Sequence, residues 1–278
     1  MTRALKYILI SLLGFALLIA LSLSLLLGTQ VGSRWALGLV PGLTVDDFQG
    51  QLGSNWQASR LSWDDGASRV EVQAPQLSWS PLCLLRATLC IKRLQAERID
   101  MPFAASETVA DSNPLQLPTL RLPVAIELGE VKLGQLRLDG SDLLGDLQLA
   151  AHWSNNGLRI DTLQLQRDDL HVSVQGDVQP EGDWPVQLTG SVQLPPVEGQ
   201  AWQLALNATG ELQKTLNLDA TSTGYLNARL TGELQALAEH LPARLRLESA
   251  AFKPVATLPD TLQLEQIKLD AVGNLDKG

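Results

Sequence analysis

The chain has 278 residues, of which 45% are hydrophobic, 18% charged and only 5% aromatic, and its net charge is −9. That much apolar content excludes a disordered polymer. The acidic balance excludes a nucleic-acid binder, which needs clustered Lys and Arg to neutralise phosphates.

Residues 7–27 read YILISLLGFALLIALSLSLLL without a charge. As a helix they extend about 31 Å, the thickness of a bilayer core. The rival reading is a cleaved signal peptide, but its apolar region is shorter and ends in an A-x-A-like site. Here Gly28-Thr29-Gln30-Val31-Gly32 follows, with neither that site nor a lipoprotein Cys. Arg3 and Lys6 precede the run and only Arg34 closely follows it. The positive-inside bias then sets the N-terminus in the cytoplasm and the rest outside, as a single-pass protein. The expected divisions are 1–28 for stub and anchor, 29–42 for a short juxtamembrane helix and turn, and 43–278 for a periplasmic β region. Pro41-Gly42 ends the short helix, and Trp35 is placed as an interfacial anchor.

Cys83 and Cys90 are the only cysteines. In an oxidising compartment they can close one small-loop disulfide; two buried free thiols are the other reading. A zinc site lacks the further ligands it needs nearby.

From Leu43 the apolar period becomes two, the signature of half-buried strands. Val70 and Val72 alternate with charged and polar neighbours. Leu120, Leu122, Val124, Ile126 and Leu128 alternate through Pro123, and Leu147 and Leu149 lead on to Ala151 and Trp153. Leu163 with Leu165, Val172 with Val174, Leu204 with Leu206, and Leu216 with Leu218 continue the pattern, as do Leu245 with Leu247 and Leu262 with Leu264. Turn signals such as Asp139-Gly140, Asn156-Gly157 and Asp168-Asp169 separate them. Residues 233–241 (ELQALAEHL) read as a short helix, a loop or one more strand. Glycines at 176, 190, 210, 232 and 273 recur in a similar local pattern at steps of 14, 20, 22 and 41 residues, the last close to two periods, which suits hairpins added side by side.

A one-faced antiparallel sheet must cover its apolar face, and no long amphipathic helix is available to do so. The predicted fold is therefore mainly β with one N-terminal transmembrane helix: an elongated, curled antiparallel sheet of repeated hairpins that forms a hydrophobic groove. Stacked sandwiches with dry cores are the alternative. The paired residues above are the groove candidates, and acyl chains are their expected ligand.

Catalytic chemistry finds no support. His152 and His171 fall on polar alternates, and His240 stands apart. Adjacent Asp pairs on a strand point to opposite faces, and no nucleophile elbow, phosphate loop or H-E-x-x-H motif occurs. No enzyme, cofactor or metal is expected.

The segments Val40-Pro41-Gly42-Leu43-Thr44-Val45, Ser78-Trp79-Ser80-Pro81-Leu82-Cys83 and Leu122-Pro123-Val124-Ala125-Ile126 resemble the start of the TamB family, within the AsmA-like group. The resemblance covers the chain from the anchor onward. It implies an inner-membrane protein with a lipid-bearing β-groove across the periplasm and an outer-membrane barrel partner of the TamA type. Phospholipid transport and outer-membrane protein or autotransporter assembly are the implied roles. Family members are far longer, so the chain is expected to be an N-terminal portion without the region that meets the barrel. The rival expectation is a scaffold that holds unfolded outer-membrane polypeptide by β-augmentation.

Overall fold

The computed structural model describes residues 3–66, 69–102, 117–197, 199–238, 241–250 and 267–273. The chain divides into two compact units, Met1–Ala104 with Lys132–Leu143, and Ala105–Val131 with Leu144–Gly278.

The first unit opens with α1 (Arg3–Leu27), whose many leucines favour helix and whose apolar side chains stand exposed at Leu12, Phe15 and Leu17. Its last carbonyls are satisfied locally. Gly28 N–H donates to Ser24 O at 2.8 Å, and Thr29 Oγ1 donates to Leu25 O at 2.7 Å. The same Thr29 caps α2 (Gln30–Gly38) by accepting from Gly32 N–H at 3.1 Å. Among the described residues no single helix is long and apolar enough to cross a membrane; Ser11–Leu27 and Gln30–Gly38 together have that length and composition, across a bend of 91°.

Six short strands and one long one follow: β1 (Leu43–Asp46), β2 (Gln49–Gly50), β3 (Asn55–Gln57), β4 (Arg60–Asp64), β5 (Arg69–Gln73), β6 (Gln76–Ser80) and β7 (Thr88–Met101). All their pairings are antiparallel, and β7 is long enough to pair with β6 through its first half and β5 through its second. Between β6 and β7 a 3₁₀ turn, Pro81–Arg86, is stapled by the Cys83–Cys90 disulfide across a Cα–Cα distance of 5.9 Å. Next come β8 (Ala125–Leu138), which gives residues to both units, and β9 (Ser141–Leu144).

The second unit carries β10 (Asp146–Ser154), β11 (Gly157–Arg167), β12 (Leu170–Val178), β13 (Pro185–Val197), β14 (Gln200–Glu211), β15 (Leu216–Gly224), β16 (Ala228–Leu234), β17 (Ala243–Ser249) and β18 (Ile267–Gly273). Each pairs antiparallel with the next, in an uninterrupted meander. Tight two-residue turns need residues that accept positive φ; Asp168 takes +49° between β11 and β12.

One expectation is corrected, and one reading left open is narrowed. Leu120, Leu122 and Val124 do not lie on a strand. Pro123 has no N–H to give a ladder, and β8 begins only at Ala125. The Leu120 N–H instead donates to Pro180 O at 2.9 Å. The 233–241 segment is not a helix where described: Glu233 and Leu234 complete β16, and 236–238 form a turn.

Candidate functional site

The side chains that sequence singled out are assembled by strand register, since residues directly opposite one another across a pair share a face. Starting from Leu149 on β10, the partners run Leu163, Val174, Gly190, Leu206, Ala220, Leu230, Leu247 and Leu269, one on each successive strand. A second row runs Leu147, Leu165, Val172, Val192 and Leu204 before reaching Ser222. A third passes through Ile160, Leu188, Ala208, Leu218 and Leu245, and a fourth through Trp153, Leu158, Val178, Val186, Leu216 and Leu234. Nine strands thus present one apolar face. At about 4.8 Å per strand it extends roughly 38 Å across the ladder.

Every sequence-named pair from Leu147 to Leu247 lies on this face. Val70 and Val72 lie in the first unit, where Val72 stands between Leu61 and Ile99 and Val70 opposite Trp63. Ile126 sits on β8. Leu122 lines a cleft of 560 Å³ with Leu120, Trp153, Asn156 and Pro180. Leu262 and Leu264 lie outside the described residues, as does His240.

The face is sparsely covered. Of its hydrophobic side chains only Ala151, Val186 and Leu216 are buried; the others are half-buried or, like Leu206 at 42%, exposed. Among the described residues the close backbone contacts of β10–β18 run between successive strands. Ser222, a polar residue among its apolar rows, is satisfied. It is buried, accepts from the Trp202 indole N–H at 2.8 Å and donates to Leu226 O at 2.6 Å.

Two glycines of the repeated pattern lie on this face with positive φ: Gly176 at +147° and Gly210 at +134°. A Cβ on either would collide with a carbonyl oxygen of the adjoining chain segment, Gln187 O or Thr215 O. Both positions need glycine for conformation and for close backbone approach.

The opposite face is polar and laced with exposed ion pairs: Arg159 with Asp177 at 2.9 Å and Arg246 with Asp270 at 2.7 Å, each directly across a strand pair, and Arg229 with Asp219. Hydrogen bonds donated to these carboxylates raise the three guanidinium pKa values. At the rim, residues 117–122 are pinned by Gln213 Nε2 donating to Leu117 O at 3.0 Å and by a two-pronged Arg121–Glu181 pair at 2.7 and 3.0 Å. The donated hydrogen bonds from Arg121 hold the Glu181 carboxyl below its ordinary range. His152 and Asp161 also pair on the polar side, both accessible to solvent. Among the described residues no group of three His, Cys, Asp or Glu could hold a metal.

Sequence reasoning missed a buried junction in the first unit. Ser33 on α2 is fully buried; its Oγ accepts from Leu52 N–H at 3.0 Å and donates to Leu26 O at 3.3 Å. Gly53 N–H donates to Leu27 O at 2.8 Å. Phe48, also buried, offers its carbonyl to Arg34 at 2.7 Å and Gln30 at 3.1 Å while its ring meets Trp56. The end of α1 is thereby tied to the first strands.

The architecture defines an antiparallel β-meander with one apolar and one polar sheet face. The model of the TamB N-terminal domain matches residues 17–143 and 104–277, and the chain belongs to that family. Among curated proteins, it is 28% identical over 130 residues to the translocation and assembly module subunit TamB of Haemophilus influenzae. That match covers 44% of this chain and a tenth (10%) of the relative's length. No solved structure matches the chain.

Proposed function

We propose that this chain is the membrane-proximal section of a phospholipid conduit. α1 anchors it in a bacterial inner membrane with the N-terminus cytoplasmic, and the β-meander stands in the periplasm. Acyl chains lie along the apolar face while headgroups stay in water, on their way toward the outer membrane. In this reading the conduit supports outer-membrane protein and autotransporter assembly together with a TamA-type barrel.

The supporting observation is the unbroken apolar register from β10 to β18 with only three of its hydrophobic side chains buried. Leaving so many aliphatic side chains half in water is costly, at about 25 cal/mol per Å² of apolar surface. A hydrocarbon ligand removes that cost without asking for any polar partner.

Photo-crosslinking residues at Leu204 and Leu218 test the reading in cells. They are expected to capture phospholipid, whereas their neighbours Gln203 and Asn217 on the opposite face capture none. Equal labelling on both faces, or no lipid at either, defeats it. Polypeptide adducts at Leu204 and Leu218 would favour the scaffold reading. That reading draws on β18, which among the described residues pairs only with β17 and so offers an edge for β-augmentation.

A further inference from the structure

The first unit exposes two sets of large apolar side chains, on different elements. On α2, Val31, Trp35 and the C-cap Leu39 follow each other at four-residue spacing and are 80%, 59% and 62% exposed. The buried residue of that helix is the polar Ser33. A surface helix in water turns its apolar stripe inward; α2 does the reverse. In the 3₁₀ turn, Leu82 and Leu85 are 73% and 86% exposed, and the Cys83–Cys90 disulfide holds them in place.

Hydrogen bonds fasten both sets to the last turn of α1. Ser33 accepts from Leu52 N–H, and Gly53 N–H donates to Leu27 O. The same 52–54 loop holds Trp79, whose indole donates to Leu52 O at 2.7 Å and whose backbone N–H donates to Ser54 O at 3.0 Å. Ser80 and the 3₁₀ turn follow directly. α2 also leaves α1 at 91°, so a membrane-crossing α1 lays α2 in the plane of the bilayer surface.

We infer that α2 and the disulfide-stapled Leu82–Leu85 turn form one lip that sits in the headgroup–acyl boundary of the membrane α1 crosses. The inference rests on α1 being the anchor. The occupant is lipid because the two apolar sets hang from the end of a helix whose own exposed surface is aliphatic. Arg86, the one charge of Pro81–Arg86, closes the turn where a phosphate would lie.

The test uses the full chain in nanodiscs of phosphatidylethanolamine and phosphatidylglycerol, with an environment-sensitive fluorescent amino acid at one position at a time. Positions 85 and 35 report the lip and position 17 the anchor. Position 141 is the control; it follows a turn whose Asp139 N–H donates to Met101 O, at the far end of β7, a strand of 14 residues. Lipid spin-labelled near the headgroup is expected to quench 85 and 35 at least about threefold more than 141, the depth of an interfacial apolar face. Quenching at 85 or 35 no greater than at 141 overturns the lip, and quenching at only one of the two overturns its unity. A deep spin label quenching 17 while the headgroup label leaves 85 and 35 unquenched leaves the anchor standing and removes the lip. No quenching at 17 removes the anchor, whatever 85 and 35 show. Residues 85 and 35 make few contacts, so the labels leave the fold intact, and the Cys83–Cys90 bond, checked by mass, confirms it.

Discussion

Ser33 carries more structural consequence than its size suggests. Its hydroxyl serves α1, α2 and the 52–54 loop at once, by accepting from Leu52 N–H and donating to Leu26 O. Ser33→Ala removes the acceptor and leaves the Leu52 N–H without it, at a cost of about 1–3 kcal/mol. The expected result is a lower melting temperature and faster hydrogen exchange at the Leu52 amide. Ser54→Ala, which loses only an exposed side-chain contact with Gln51 at 3.4 Å, should leave both unchanged. Unaltered exchange at Leu52 in Ser33→Ala would show that the junction is held elsewhere. Nothing in the local sequence announces this role, because the donor lies 19 residues away; the available signal was a serine opposite a stripe of Val31, Trp35 and Leu39.

Elements were legible wherever alternation was clean, and β11 shows why one irregularity was harmless. Its apolar residues are Leu158 and Ile160, then Leu163 and Leu165, a change of parity in mid-strand. The structure resolves it with a bulge: Ala151 opposes Ile160 and Ala150 opposes Thr162, so Asp161 is the extra residue. All four apolar side chains stay on one face. Deleting Asp161 therefore restores regular alternation and sacrifices only an exposed pair with His152, of little worth. Deleting Gln164 instead puts Leu163 and Leu165 on opposite faces, at about 1.5–3 kcal/mol for each apolar side chain displaced. The first deletion is expected to melt cooperatively near the parent and the second to melt early or aggregate. The reverse order would refute the register. The reading through Leu120 and Leu122 failed for a local reason: a run bounded by Pro118 and Pro123 keeps the period of a strand without the donors to build one.

For the molecule as a whole, sequence fixes which residues share a face within a strand but not which faces meet across strands. That depends on turn geometry and bulges such as those at Asp161 and between Leu194 and Val197, neither of which composition reveals. Whether the shared face lies open is a further tertiary fact; most of its side chains are only half-buried. An open face used as a conduit has a distinctive arithmetic. Leu163, Leu206 and Leu247 lie in one row on β11, β14 and β17, and a carboxylate set against hydrocarbon costs about 2.5–3.5 kcal/mol. Leu163→Asp or Leu247→Asp alone should therefore cut phospholipid delivery to the outer membrane by about two to two and a half orders of magnitude. Barriers in series add as resistances, so the double variant should be slower than either single by only about twofold, whereas independent contacts to a held polypeptide would multiply their losses. Gln164→Asp and Asn207→Asp, on the polar face, should leave delivery unchanged. Pulse-labelled phospholipid followed into the outer membrane measures all five. A double variant reduced by the product of the single losses would mean that the wall is gripped at separate points rather than travelled along.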